Sequence, residues 1–190
     1  MTSSVFLLSP AKLSGKRGQL LLNPAAKFAL AAQLRSQAGA PLAQVFSFVS
    51  GLYFRGKVSY AERFGRAPEP APSALIISAG GGLCRLDEPV TAERLRDWMN
   101  VAVDARNPHF TAPLLRQAAA LRDQHPETTR FVLLGSLASS KYTQPLSEAL
   151  GAQLFYPAKL AGLGDMSRGA LMLRAARHGL ELDYLPVPSP

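Results

Sequence analysis

Short, largely apolar runs bounded by turn-forming residues alternate along this chain with longer stretches whose apolar positions recur every three or four residues. The short runs fall at Val5–Leu8, Ala74–Ser78, Phe131–Gly135, Gln153–Tyr156 and Leu182–Leu185. Their apolar positions run on rather than alternating, as expected of strands covered on both faces. Helical periodicity covers Pro24–Ala38, Pro41–Val49, Val58–Phe64, Ala92–Val103, Pro113–Asp123, Gln144–Leu150 and Ser167–His178, with Pro24 suited to a first helical position. This alternation predicts an α/β fold of three layers: a mainly parallel central sheet of four to five strands with helices on both faces.

The stretch Gly65–Ser73 carries three prolines in nine residues and reads as an extended connection. Only one strand precedes it, and a lone strand builds no sheet, so residues 1–190 read as a single domain. A 47% hydrophobic content supplies a substantial core. Cys84 is the single cysteine, which excludes an intramolecular disulfide and a thiolate metal cage, and suits a reducing cytoplasm. No run approaches the roughly 20 apolar residues of a membrane span, and the first ten residues lack the basic start of a signal peptide. A cytoplasmic protein with no membrane partner is the expectation.

Charge is distributed unevenly. Residues 1–66 hold nine of the 21 basic residues but only one of the 13 acidic ones, Glu62, so the whole net charge of +8 resides there and the remainder is neutral. A field confined to one end of a domain attracts and orients polyanions, which makes nucleic acid, DNA ahead of RNA, the leading expected partner. A solvated basic face without a ligand is the competing explanation.

In open parallel sheets ligands bind beyond the carboxyl ends of the strands, so the segments after each strand carry the candidate chemistry. After the first come Ser9, Lys12, Lys16 and Arg17, where hydroxyls and cations suit phosphate, although the P-loop spacing is absent. After the second, Ser78 leads into Gly80, Gly81 and Gly82, which permit either close backbone approach to a ligand or a purely structural turn. The dinucleotide fingerprint is not met there. Ser136, Ser139, Ser140 and Lys141 follow the third strand and suit an anion at a helix start, or simple capping. Asp165, Ser167 and Arg168 open the last helix; a cation in a first helical turn is unfavourable unless an anion or a carboxylate faces it.

Between residues 50 and 64 aromatics interleave with cations. Tyr53, Phe54 and Tyr60 with Arg55 and Lys57 match base stacking combined with phosphate contact, and equally match the buried face of a helix.

The string Ser9-Pro10-Ala11-Lys12, paired with Ile76–Leu83, resembles the YaaA-like family, which includes peroxide-stress proteins and is similar in part to the uracil-DNA-glycosylase-like fold. Leu134–Ser136, Lys141-Tyr142 and Gly164–Gly169 look like motifs of an uncharacterised bacterial branch of that group. The resemblance covers about a third of the chain. It implies DNA binding connected with oxidative stress and a three-layer α/β fold. It implies no catalytic set, because the first strand-end loop has no carboxylate and no histidine follows Pro157 closely.

Other chemistries lack their residues. His109, His125 and His178 have no ligand spacing, and Gly135-Ser136-Leu137 lacks the closing glycine of a nucleophile elbow. Asp165 has no adjacent acid for a two-carboxylate mechanism. Lys12 reads as a poor Schiff-base amine in a wet, cationic loop. Two functions therefore stand. One is nucleic-acid binding through Lys12, Lys16, Arg17, Tyr53, Arg55, Lys57 and Tyr60. The other is an enzyme acting on a nucleoside, nucleotide or nucleobase in a strand-end pocket, with no metal or cofactor expected.

Overall fold

The computed structural model describes residues 3–67 and 70–188. In chain order the elements are β1 (Ser4–Leu8), α1 (Lys16–Leu22), α2 (Ala29–Arg35), β2 (Ala40–Pro41), α3 (Leu42–Ser50), α4 (Leu52–Phe64), β3 (Ala74–Ser78), β4 (Gly82–Arg85) and β5 (Pro89–Val90). There follow α5 (Ala92–Met99), α6 (Pro108–Asp123), β6 (Arg130–Leu134), α7 (Ser140–Leu150), β7 (Leu154–Pro157), α8 (Asp165–His178) and β8 (Tyr184–Pro186).

The fold is α/β. The main sheet has six strands rather than four to five, in the order β4-β3-β1-β6-β7-β8, and β2 pairs separately with β5. The inner pairings β3–β1, β1–β6 and β6–β7 are parallel, while β4 and β8 add antiparallel edges. β4 was not expected because Gly82, Leu83, Cys84 and Arg85 form too short a pattern; it exists because Gly82, at φ 70°, turns the chain straight back along β3.

Side chains of each inner strand divide between two cores. Phe6, Leu8, Ile76, Val132 and Leu134 face α3, α4, α5 and α8, while Val5, Leu7, Leu75, Ile77, Phe131 and Leu133 face α6 and α7. Both faces being dry, the strands must be apolar throughout.

Helix boundaries differ from expectation where proline misled. α6 begins at Pro108, capped by Asn107 accepting from the His109 N–H, and runs through Pro113; α7 begins at Ser140 and runs through Pro145. For α6 the Asn107 cap upstream of Pro113 sets the earlier start. The basic segment after β1 is also not an open loop: Lys16 and Arg17 begin α1. The stretch expected as one helix over Pro24–Ala38 is helical only over Ala29–Arg35. The Pro-rich connection hydrogen-bonds to β1 through Arg66, whose backbone exchanges bonds of 2.8 and 2.9 Å with Ser4; residues 68 and 69 lie outside the described residues.

α4 and α8 lie together on one face and touch backbone to backbone through two glycines. A Cβ on Gly56 would lie 2.6 Å from the Gly169 carbonyl oxygen, and one on Gly169 would lie 2.7 Å from the Leu52 carbonyl oxygen. Overpacking of this kind costs about 1–3 kcal/mol. Gly169→Ala is expected to lower stability by at least that much in denaturant unfolding, against no loss for Gly164→Ala, where nothing lies within 4 Å of the added methyl group.

Candidate functional site

The loop after β1 leads into α1, on the face of the sheet that α3 and α4 also cover, whereas the loop after β6 leads to α7 on the other. β1 and β6 are neighbours, so their carboxyl ends part at a topological switch point, the place where open α/β sheets hold ligands. A cavity of about 590 Å³ opens there. Ser9, Pro10, Ala11 and Lys12 line it from the β1 end, Ser136, Lys141 and Tyr142 from the β6 end, and Ser50, Tyr53 and Asp165 from the helices. Pro10, Ala11, Lys12 and Val103 also wall a second recess of about 300 Å³, which is apolar and bounded by Phe46, Ala79 and Trp98.

Beneath the cavity lies Lys57, 1% exposed. Its Nζ donates to the Ser9 carbonyl oxygen at 2.9 Å and to Ser9 Oγ at 2.7 Å, and stands 4.0 Å from the centre of the Tyr53 ring. Ser9 Oγ in turn donates to the Leu134 carbonyl oxygen at 3.3 Å, linking the ends of β1 and β6. Burial lowers the Lys57 pKa to about 7; Asp165 opposes that shift and Arg168 reinforces it. Burial also raises the Tyr53 and Tyr142 hydroxyls above the ordinary phenol range.

Arg168 is buried, with Nε donating to the Leu160 carbonyl oxygen at 3.1 Å and Nη1 lying 3.5 Å from Asp165 Oδ1. The carboxylate that a first-turn arginine requires is thus its own neighbour, one helical turn earlier.

Several expected site residues lie elsewhere. Tyr60 and Phe54 have no exposed surface and cannot stack on bases; the Tyr60 hydroxyl accepts from the Leu182 N–H at 2.8 Å and meets the Tyr184 hydroxyl at 2.9 Å. Lys57 reaches no phosphate at the surface, since its ammonium is spent on Ser9. Gly80, Gly81 and Gly82 form the β3–β4 hairpin turn, covered by Trp98 and Gln117, with buried Ser78 accepting from the Gly81 N–H at 2.9 Å. They line neither recess; the turn is structural. Ser139, Ser140 and Ser167 are exposed and lie outside the cavity lining, and Ser139 makes no side-chain cap. Lys16, Arg17 and Arg55 are exposed on α1 and α4.

Of the basic first third, Arg66 lies at the amino end of β1, opposite Lys12, so these charges do not form one patch. What the sequence did not reveal is the Lys57–Ser9 pair, whose members lie 48 positions apart. Among the described residues no three His, Cys, Asp or Glu side chains gather to hold a metal ion, and no helix is long and apolar enough to cross a membrane. No protein-family model, curated protein or solved structure matches the chain.

The depressed Lys57 pKa has a thermodynamic signature. Between about pH 7 and the ordinary lysine value of 10.5 the unfolded chain binds the proton that the folded chain has released, so stability rises with pH there, by at most about 1.4 kcal/mol per unit. Above pH 10 the raised tyrosines, Tyr60 at about 12 among them, reverse the trend. Urea unfolding across pH 7–10 is expected to show the rise in the wild type and not in Lys57→Met.

Proposed function

We propose that the switch-point crevice binds a nucleotide-class anion, its phosphate in the polar cavity and its base in the apolar recess, as the ligand site of an enzyme acting on nucleosides or nucleotides. The supporting observation is the convergence of Lys12 and Lys141 on one cavity from strand-end loops whose crossovers leave to opposite faces. Among the described residues neither lysine pairs with an acid, and the one carboxylate in the lining, Asp165, already faces Arg168. Ser50 and Ser136 add neutral donors suited to phosphate oxygens. Trp98, Met99, Val101 and Pro10 give the second recess the apolar lining that a base needs, and the two recesses share Pro10, Ala11, Lys12 and Val103.

A second reading, nucleic-acid binding, draws support from Lys16 and Arg17. Both stand exposed just beyond Lys12, and Arg17 Nη1 donates to the Phe48 carbonyl oxygen, beside Val49 of the cavity wall. A strand entering the cavity by its terminal nucleotide would meet these cations outside it. The YaaA-like resemblance, with the DNA and stress association it implies, belongs to this reading.

The two readings separate experimentally. AMP or UMP at about 100 times its Kd is expected to stabilise the protein by about 2.7 kcal/mol in thermal unfolding, with adenosine weaker. Replacing Lys12 and Lys141 together by alanine is expected to weaken nucleotide binding at least tenfold. Absence of any nucleotide or phosphate response at millimolar concentration overturns the first reading. For the second, an oligonucleotide retarded at low salt is expected, its log K falling by about 0.9 per log unit of salt for each phosphate neutralised. Lys16→Ala with Arg17→Ala should weaken that complex and leave mononucleotide binding alone.

A further inference from the structure

We propose that Ser9 is a nucleophile activated by Lys57, and that the crevice cleaves a phosphate ester through a phosphoserine. The substrate class rests on the anion reading above; the nucleophile rests on separate geometry. Ser9 lines the cavity while Lys57 does not, so the hydroxyl stands between the amine and any bound ligand. The Lys57 Nζ to Ser9 Oγ distance is 2.7 Å, within the reach that proton transfer requires. The hydroxyl proton has two acceptors: the Leu134 carbonyl oxygen at 3.3 Å while Lys57 is protonated, and the closer Lys57 lone pair once it is not. An amine beside a serine is an established substitute for the imidazole of a hydrolytic triad.

The surroundings keep that amine available. The charged groups acting on it are Asp165 and Arg168, both from α8, of opposite sign and joined to each other at 3.5 Å. From its own helix it meets the Tyr53 and Phe54 rings, and from the chain just after β1 it meets Ser9. No carboxylate forms an ion pair with it among the described residues, and burial holds its pKa at about 7. A lysine placed only to clamp the loop would gain from an acid at its side.

The steps balance as follows. Ser9 Oγ attacks phosphorus, its proton passes to Lys57, and the bond from phosphorus to the leaving oxygen breaks on the far side, where water at the open mouth protonates it. Lys12 and Lys141 face the phosphoryl oxygens as charge builds on them. Water then attacks from that same side and sheds a proton to solvent. The Oγ–P bond breaks, and Lys57 returns its proton to Ser9.

A fluorophosphonate reads the first half of this sequence, since attack by Oγ expels fluoride and leaves a stable adduct. Mass spectrometry of the full-length protein and its peptides is expected to place that adduct on Ser9. Its formation rate should rise with pH through about 7, fall about 10²–10⁴-fold in Lys57→Met, vanish in Ser9→Ala and slow in millimolar inorganic phosphate. Absence of a Ser9 adduct between about pH 6 and 9, or a rate indifferent to pH in the wild type, overturns the nucleophile whether or not Lys57→Met folds. A Ser9 adduct that phosphate does not slow overturns the phosphate-ester class. The melting response to phosphate, taken on the same samples, distinguishes a failed anion site from a failed nucleophile.

Discussion

A buried ammonium group organises this molecule. Lys57 sits in the middle of α4, between the sheet and α8, and its two hydrogen bonds to Ser9 hold the chain where β1 ends. A lone buried charge costs several kcal/mol, so such a residue persists only where its donors are well placed or where its proton is easily lost. Both conditions hold here, with two oxygens of one residue and the Tyr53 ring around the amine. The end of β1 is therefore fixed in position, and with it the point from which the crevice opens.

That point has its value from topology. β1 and β6 are in register from Ser4 opposite Arg130 to Leu8 opposite Leu134, and beyond Leu8 and Leu134 the chains separate to opposite faces. Loops that part leave space between them, and whatever those loops carry converges on that space. Lys12 and Lys141, 129 positions apart in the sequence, face one volume for this reason alone. The apolar recess arises from the same arrangement, because α5 brings Trp98 up against the outer side of the β1 loop.

Much of this was legible in the chain, and the illegible parts share a cause. The five central and edge strands with long apolar runs, and the rule that chemistry follows strand ends, led to Ser9, Lys12, Ser136, Lys141 and Asp165, which line one crevice, and to Arg168, which stands outside that lining and faces Asp165. Tyr60 and Lys57 were misread as surface contacts because aromatic and basic residues alternating on α4 have the same spacing whether the helix faces water or another helix. The signal that decides between them is Gly56, four residues before Tyr60 and one before Lys57: a glycine in mid-helix marks a face where another backbone approaches, and here α8 does so. The glycine run after β3 was ambiguous for the opposite reason, since nothing local distinguishes a turn that meets a ligand from one that meets Trp98. The Lys57–Ser9 bond could not be read at all, because it depends on the placement of α4 over β1.

The backbone contact at Gly56 and Gly169 bears on how the crevice can move. Tyr53 and Lys57 flank Gly56 on α4, and Asp165 and Arg168 precede Gly169 on α8, so the two glycines set the spacing between the helices that bring Tyr53 and Asp165 to the cavity wall and Lys57 and Arg168 behind it. Helices touching at their main chains have no side-chain cushion on which to slide. The rim that faces this wall is made by the Pro10–Lys12 segment and the start of α7, so the crevice is bounded on one side by two helices in main-chain contact and on the other by the chain leaving β1 and β6.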